Sequence, residues 1–161
     1  MLEVCQADYE NTTQAADVVR LLDIYARDPM GGGTPLSEDT KTRLIPAMAA
    51  RQGAFSVLVY VDGQAAALAN CFEGFSTFKA KILVNIHDVM VHPDYRGRKL
   101  STRLLEKVEE IAKARGACKL TLEVLSKNEP AKASYQKFGF TAYELDPETG
   151  TALFWEKTIS C

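Results

Sequence analysis

The chain has 161 residues, 47% hydrophobic and 25% charged, the composition of one globular domain with an ordinary core and no room for a second full one. A formal charge of −2 argues against a general nucleic-acid coat, and no run approaches the ~18 uninterrupted apolar residues of a membrane span. Four scattered cysteines, Cys5, Cys71, Cys118 and Cys161, lack C-x-x-C spacing and paired histidines, so neither a metal site nor a disulfide framework is expected and a cytoplasmic location fits. The first residues, MLEVCQADYENTT, hold no basic segment followed by an apolar one, so no export signal or membrane anchor is expected.

No repeat or low-complexity segment interrupts the chain. A short apolar run at 2–7 reads as a first strand, and Val18, Leu21, Leu22 and Tyr25 then recur at helical spacing, which predicts a helix over 13–27. The stretch DPMGGGTPL (28–36) carries three glycines and two prolines and must be a loop, either mobile or approaching something closely. Ser37 can cap a second helix with Leu44, Ile45 and Met48 on one face. From there the period becomes extended. SVLVYV (56–61), the turn pair Asp62-Gly63 and QAAALANCF (64–72) read as a hairpin with a type I′ turn. KILVNIHDVMV (81–91) is a further strand that stops at His92-Pro93.

Leu100, Leu104, Leu105, Val108, Ile111 and Ala112 return to helical spacing and Gly116 ends it. KLTLEVL (119–125) alternates as a strand, a short helix over 128–138 closes at Gly139, and two last strands, 140–145 and 151–158, flank DPETG. The order β-α-α-β-β-β-α-β-α-β-β predicts an α/β (α+β) layer structure with a mixed, mostly antiparallel central sheet flanked by helices.

One short stretch carries chemistry. DYRGRKLS (94–101) sets Arg96, Arg98 and Lys99 around Gly97 in a turn that opens into the helix at Leu100. The first N–H groups of a helix have no intrahelical acceptor and sit at the positive end of its dipole. Added cations make such a turn suited to an anion such as a pyrophosphate. The plainer reading is a solvated helix start, and spacing alone does not separate the two.

The wider pattern does. V-H-P-D-Y-R-G-R-K-L-S-x-x-L-L (91–105) and L-S-K-N-E-P-A-K-A-S-Y-Q-K-F-G-F (125–140) resemble two segments of the GCN5-related N-acetyltransferase (GNAT) family. The family's acyl-CoA signature, R/Q-x-x-G-x-G/A, falls here on Arg96, Lys99 and Ser101, so both glycine positions depart from it. The resemblance implies acetyl-CoA as cosubstrate, its pyrophosphate held by backbone amides within the turn Arg96, Gly97, Arg98, Lys99, Leu100 and Ser101. It also implies that Met90 and Val91 bond the pantetheine arm through the main chain, a strand-edge mode of recognition. In element order the likeness spans nearly the whole chain, read as one acyltransferase domain over 1–161; in motifs it is confined to about 87–140.

Acetyl transfer needs a neutral amine, a polarised carbonyl and a proton for a departing thiolate whose conjugate acid has a pKa of about 8.5. The family resemblance implies that Tyr135, the tyrosine of N-x-x-A-x-x-x-Y, gives that proton and that Asn128 contacts the cofactor arm. Taken alone, Tyr135 also reads as a core residue with a satisfied hydroxyl and Asn128 as a helix cap. His87 and Asp88 are candidates for the base; successive strand residues face opposite sides, so only one lines the acceptor side unless a bulge intervenes. His87 equally reads as filler of a half-buried sheet position. Glu123 and Glu73 are reserves.

C-F-E-G-F-S-T-F (71–78) resembles the diamine acetyltransferase branch, whose members have Glu-Asp where this chain has His87-Asp88. The expected acceptor is a small-molecule primary amine bound among Glu73, the loop of Gly32 and the strand at His87. A protein N-terminal or lysine amine is the alternative within the same chemistry, and a non-catalytic acyl-CoA-binding module is the alternative outside it. A nucleic-acid partner is not expected, since Arg96, Arg98, Lys99 and Arg103 lack interleaved exposed aromatics. The resemblance implies a homodimer through the C-terminal strands.

Overall fold

In the computed structural model, which describes residues 1–144, 146 and 148–159, the elements run β1 (Leu2–Gln6), α1 (Thr12–Arg27), α2 (Glu38–Ala50), β2 (Ala54–Val61), β3 (Gln64–Ser76), β4 (Lys81–Val91), α3 (Leu100–Ala114), β5 (Leu120–Leu122) and α4 (Glu129–Phe138). The strands form one sheet in the order β1-β2-β3-β4-β5, antiparallel except for the parallel pair β4-β5. The chain divides into two compact units, Met1–Leu122 with the whole sheet and α1 to α3, and Glu123–Cys161 with α4.

Local chemistry sets the boundaries. Asn11 accepts from the N–H groups of Thr13 and Gln14 at the start of α1, and Ser37 accepts from Thr40 N at the start of α2. Asp62 and Gly63 both have positive φ (50° and 79°), the conformation that a type I′ turn demands. Pro29–Gly31 and Pro93–Tyr95 each form a single 3₁₀ turn, one in the loop after α1 and one in the loop after β4.

Two apolar layers sandwich the sheet. On one face Val18 and Leu21 of α1 pack with Leu58, Leu68 and Met90, and Ile45 of α2 joins them. By strand alternation the other face carries Val57, Val59, Ala69 and Val84, covered by Leu104, Leu105 and Val108 of α3, all fully buried. Each such leucine contributes about 1.5–3 kcal/mol by leaving water.

The ladder is broken in two places. Val59 faces Ala67 and Tyr60 faces Ala65, leaving Ala66 as an extra residue on β3. Asn70 faces Asp88 and Cys71 faces Ile86, leaving His87 as an extra residue on β4.

The C-terminal pair of strands needs correction. Among the described residues of 140–159 the only pairing is an isolated bridge between Glu144 and Thr151, supported by Ala152 N to Tyr143 O. Leu153, Phe154 and Trp155 are 74%, 75% and 82% exposed, so their burial supplies nothing to offset the entropy of ordering a ladder. Residue 145 of the first expected strand lies outside the described residues, as does Cys161; Cys5, Cys71 and Cys118 are free thiols. Among the described residues no helix is long and apolar enough to cross a membrane.

Because Leu104 is completely buried between α3 and the sheet, Leu104→Ala should lower stability by about 3 kcal/mol in a urea or guanidinium titration, the range of large-to-small core changes.

Candidate active site

The bulge at His87 governs what β4 presents. Without it, His87 and Asp88 would face opposite sides. With it, Asp88 meets Asn70 while the His87 ring meets the edge of Phe72 at 5.6 Å, and Asn70 and Phe72, two apart on β3, share a face. Both candidates for the base therefore lie on the α1/α2 side. His87 is exposed there and Asp88 is half-buried.

β4 also loses a neighbour at this point. Its pairing with β5 covers only Val84, Asn85 and Ile86. Beyond Ile86 the edge of β4 that faces away from β3 carries no ladder among the described residues; since His92 N bonds Ala66 O, alternation turns the main-chain N–H and C=O of Met90, expected on the cofactor, toward Leu68 of β3, and those of Val89 and Val91 toward the unladdered edge. The Met90 side chain meanwhile is buried in the α1 layer.

Charge is unevenly compensated around this edge. Among the described residues the half-buried acids are Asp17, Asp23, Asp28, Glu73, Asp88 and Glu109. Asp17 pairs with Arg20, Asp23 with Arg27, Asp28 with Arg96 and Glu109 with Lys113. Glu73, expected to meet a cationic acceptor, pairs with Arg115 at 2.8 Å, and Arg115 in turn lies 4.4 Å over the Phe55 ring. Strand alternation puts Glu73 on the α3 side, opposite Asn70. That leaves Asp88 as the half-buried acid with no basic partner among the described residues. Its Oδ2 accepts from Asn70 Nδ2 at 3.0 Å. The field of Asp88 is felt by its neighbours: Tyr25 is raised by burial and then by Asp88 and Asp28, and Cys71 is pushed up to about 12 by burial and then by Asp88.

The glycine-rich loop is fastened at its base. Asp28 accepts from Met30 N at 2.9 Å and from Arg96 Nη2 at 2.9 Å, and these bonds hold its carboxyl below the usual range. Gly31 lies so close to the end of α1 that a Cβ there would fall 2.0 Å from the Tyr25 carbonyl oxygen. Gly32, with φ 116°, and Gly33 face open space. Arg96, expected on the cofactor, thus has its guanidinium on Asp28, with Nε also 3.4 Å from Val91 O. It ties the loop to the end of β4.

The remaining basic residues of the turn stay exposed. Arg98 lies 5.3 Å over the Tyr95 ring, and neither Arg98 nor Lys99 forms an ion pair among the described residues. Gly97 has φ 80°, and Lys99 is the N-cap of α3 at φ 59° with no side-chain cap. The motif's first glycine position is therefore a left-handed residue here, filled by lysine. Leu100 is buried, so only its main chain faces outward. A shallow depression beside it is lined by Arg98, Lys99, Thr102 and the ion pair of Arg103 with Glu106, over Leu2 and Val61. Cations at a helix N-terminus oppose its dipole, and an anion bound there would relieve both terms.

In the second unit, Asn128 caps α4, its Oδ1 accepting from Ala131 N at 3.3 Å, so the capping role open in the sequence is the one its oxygen performs. Tyr135 is half-buried on α4, its ring 6.1 Å from Phe140 in an edge arrangement. Glu123 is exposed at the start of this unit.

A model of the acetyltransferase (GNAT) family matches residues 18–140, and the chain belongs to that family. Over 70 residues it is 36% identical to an N-acetyltransferase of Methanocaldococcus jannaschii described as uncharacterised, covering 44% of this chain and 31% of that protein. Over 90 residues it is 33% identical to streptothricin acetyltransferase of Streptomyces lavendulae, covering 56% of this chain and 46% of that one. The matched segments thus span less than half the length of these curated relatives. An aminoglycoside acetyltransferase from an uncultured soil metagenomic sample superposes with a TM-score of 0.75 over 99% of both chains at 20% identity, a likeness of fold.

A non-glycine residue in the left-handed region costs about 1–2 kcal/mol, part of which glycine's own entropy cancels. Lys99→Gly should therefore raise stability by about 1 kcal/mol, helped by removal of a cation from a helix N-terminus. Chemical denaturation of the two proteins at matched ionic strength reads this directly.

Proposed function

We propose that this chain is an N-acetyltransferase that moves an acetyl group from acetyl-CoA to the primary amine of a small molecule, the whole chain working as one acyltransferase domain. The observation that carries the reading is the pairing of β4, whose ladder with β5 stops at Ile86. Val89 and Val91 then offer main-chain groups on an unladdered edge that leads into the basic, uncapped start of α3. An extended pantetheine arm fits the edge at Val89 and Val91, the main chain of Met90 between them being turned to β3; a pyrophosphate fits the turn, with first-turn N–H groups, Arg98 and Lys99 as its partners. In this reading Arg96 acts on the loop through Asp28 more than on the phosphate.

The acceptor approaches on the α1/α2 side. Asp88, lacking a basic partner, draws the amine in as its ammonium; His87, exposed beside it, takes a proton to leave the nucleophile neutral. The amine nitrogen attacks the thioester carbonyl carbon, an N–C bond forms, and the C–S bond breaks with its electron pair on sulfur. Tyr135 gives the thiolate its proton, and the proton that nitrogen sheds on becoming an amide restores the phenol through solvent. Gly32, in the loop above Tyr25, borders the acceptor. A cationic small molecule is supported by the unpaired Asp88 and agrees with the amine-rich substrates named for the streptothricin and aminoglycoside enzymes. The diamine likeness is weaker, because Glu73 is engaged by Arg115.

Release of CoA thiol from acetyl-CoA, with the protein's own cysteines subtracted, across pooled polyamines, amino acids, aminoglycosides and short peptides tests the activity. Turnover with a small-molecule pool is expected; turnover with peptides alone would reassign the acceptor to a protein amine. Tyr135→Phe should lower kcat by about a hundredfold or more, as loss of a general acid does, while calorimetry shows acetyl-CoA binding retained. Undiminished turnover in that variant removes Tyr135 from the mechanism. Arg98→Glu should weaken acetyl-CoA binding by about tenfold or more at low salt, with the difference shrinking as salt rises. Equal affinity would make the turn plain solvated surface.

A further inference from the structure

β2 and β3 each bury one polar side chain in an otherwise apolar layer. Ser56 is 0% exposed and Asn70 2% exposed, and they are direct neighbours across the two strands. A buried hydroxyl and a buried amide lower stability unless their hydrogen bonds are met, so their presence asks for a reason. The bonds are met in one continuous row. Tyr9 Oη lies 2.8 Å from Ser56 Oγ, Ser56 Oγ lies 2.6 Å from Asn70 Oδ1, and Asn70 Nδ2 lies 3.0 Å from Asp88 Oδ2.

The direction of this row is fixed from its far end. A carboxylate only accepts, so Asn70 turns its NH₂ to Asp88 and its oxygen to Ser56. Ser56 must then donate to Asn70, and its oxygen is left to accept from the Tyr9 hydroxyl. Three donors in succession point toward Asp88. No proton can pass through an amide oriented this way, so the row is no relay; what it transmits is position. Among the described residues Asn70 is the sole hydrogen-bond partner of Asp88, which leaves Oδ1 directed to other company. Asp88 stands next to the bulged residue His87, where the backbone departs from regular pairing and the ladder restrains a side chain least.

Resting on the function proposed above, we propose that Asn70 is a positioning residue, aligned by Ser56 and Tyr9, that holds the Asp88 carboxylate with Oδ1 toward the ammonium of the acceptor. The groups beside Asp88 on its own face are Tyr25 of α1, whose hydroxyl also feels Asp28, with Asn70 from β3 and His87 from β4; Cys71, on the opposite face, feels the same carboxylate through the sheet. None of them is a cation that could hold the carboxylate in Asn70's place while His87 is neutral. The row thus does what a salt bridge does for the other half-buried acids, without neutralising the charge that the acceptor needs.

The test compares wild type, Asn70→Leu, Ser56→Ala, Asp88→Asn and the Asn70→Leu/Asp88→Asn double variant, with spermidine and sisomicin as acceptor probes and acetyl-CoA as donor. Asn70→Leu should raise the KM for the probe about tenfold, with the KM for acetyl-CoA within about twofold of wild type. Ser56→Ala, the milder change should Asn70→Leu fold poorly, should raise the probe KM about threefold. In the double variant the Asn70 substitution should add nothing to Asp88→Asn, since it acts only through that carboxylate. An additive loss, an equal rise in both KM values, or an unchanged probe KM overturns the proposal. A crystal structure of Asn70→Leu, or of Ser56→Ala, judges it without any turnover. The Asp88 side chain should leave its position in the first and lose its single orientation in the second; an unmoved carboxylate overturns the proposal. If wild type acetylates neither probe, the small cationic acceptor fails while the crystallographic result still decides the role of Asn70.

Discussion

One residue more on β4 than on β3 is the constraint around which the candidate site is arranged. The extra residue, His87, resets the alternation of the strand, so that Val84 and Ile86 stay buried under α3 while His87 and Asp88 turn together toward α1 and α2. A bulge also bends and twists the strand that carries it. The ladder to β5 ends one residue earlier, at Ile86. A single local irregularity thus coincides with the end of a ladder and with two adjacent titratable side chains turned to one face.

Electrostatics divides the same region into fixed and unfixed charge. Arg96 and Asp28 neutralise each other and in doing so join the loop after α1 to the end of β4. Arg115 and Glu73 do likewise on the opposite face. What remains is negative at Asp88 and positive at Arg98 and Lys99. Opposite uncompensated charges thus lie on either side of the end of β4.

Much of this was legible in the sequence, for identifiable reasons. The type I′ turn at Asp62-Gly63, the caps Asn128 and Ser37 and the end of α4 at Gly139 rest on local chemistry and could be read residue by residue. The helix α3 declares itself through six apolar residues at one spacing. The bulge could be posed only as a condition on His87 and Asp88, because register depends on what the partner strand contributes. Nothing in a linear sequence reveals that Arg115, 42 positions away, reaches Glu73, or that Asp28, 68 positions away, reaches Arg96. Asn70 and Ser56 did leave a trace. A lone asparagine in AAALANCF and a lone serine in AFSVLVYV are polar residues in strands otherwise built for burial, and such exceptions mark either a defect or a purpose. The C-terminal strands differ for the converse reason: an alternating pattern states that a segment can pair, and a ladder is held only where burial offsets the entropy of ordering it, which the exposed Leu153, Phe154 and Trp155 do not supply.

The glycines of the loop after α1 bear on how this protein can change over generations. Gly31 is pressed against the Tyr25 carbonyl and admits no side chain without moving the end of α1. Gly32 and Gly33 have nothing within 4 Å of where a side chain would begin, and only their positive φ angles restrict what replaces them. Asparagine tolerates that region, and an inserted residue could relax it. The loop therefore has an anchored root and a freely editable crest. Substitutions and insertions can accumulate at that crest while the end of α1, the sheet and the bulge stay untouched.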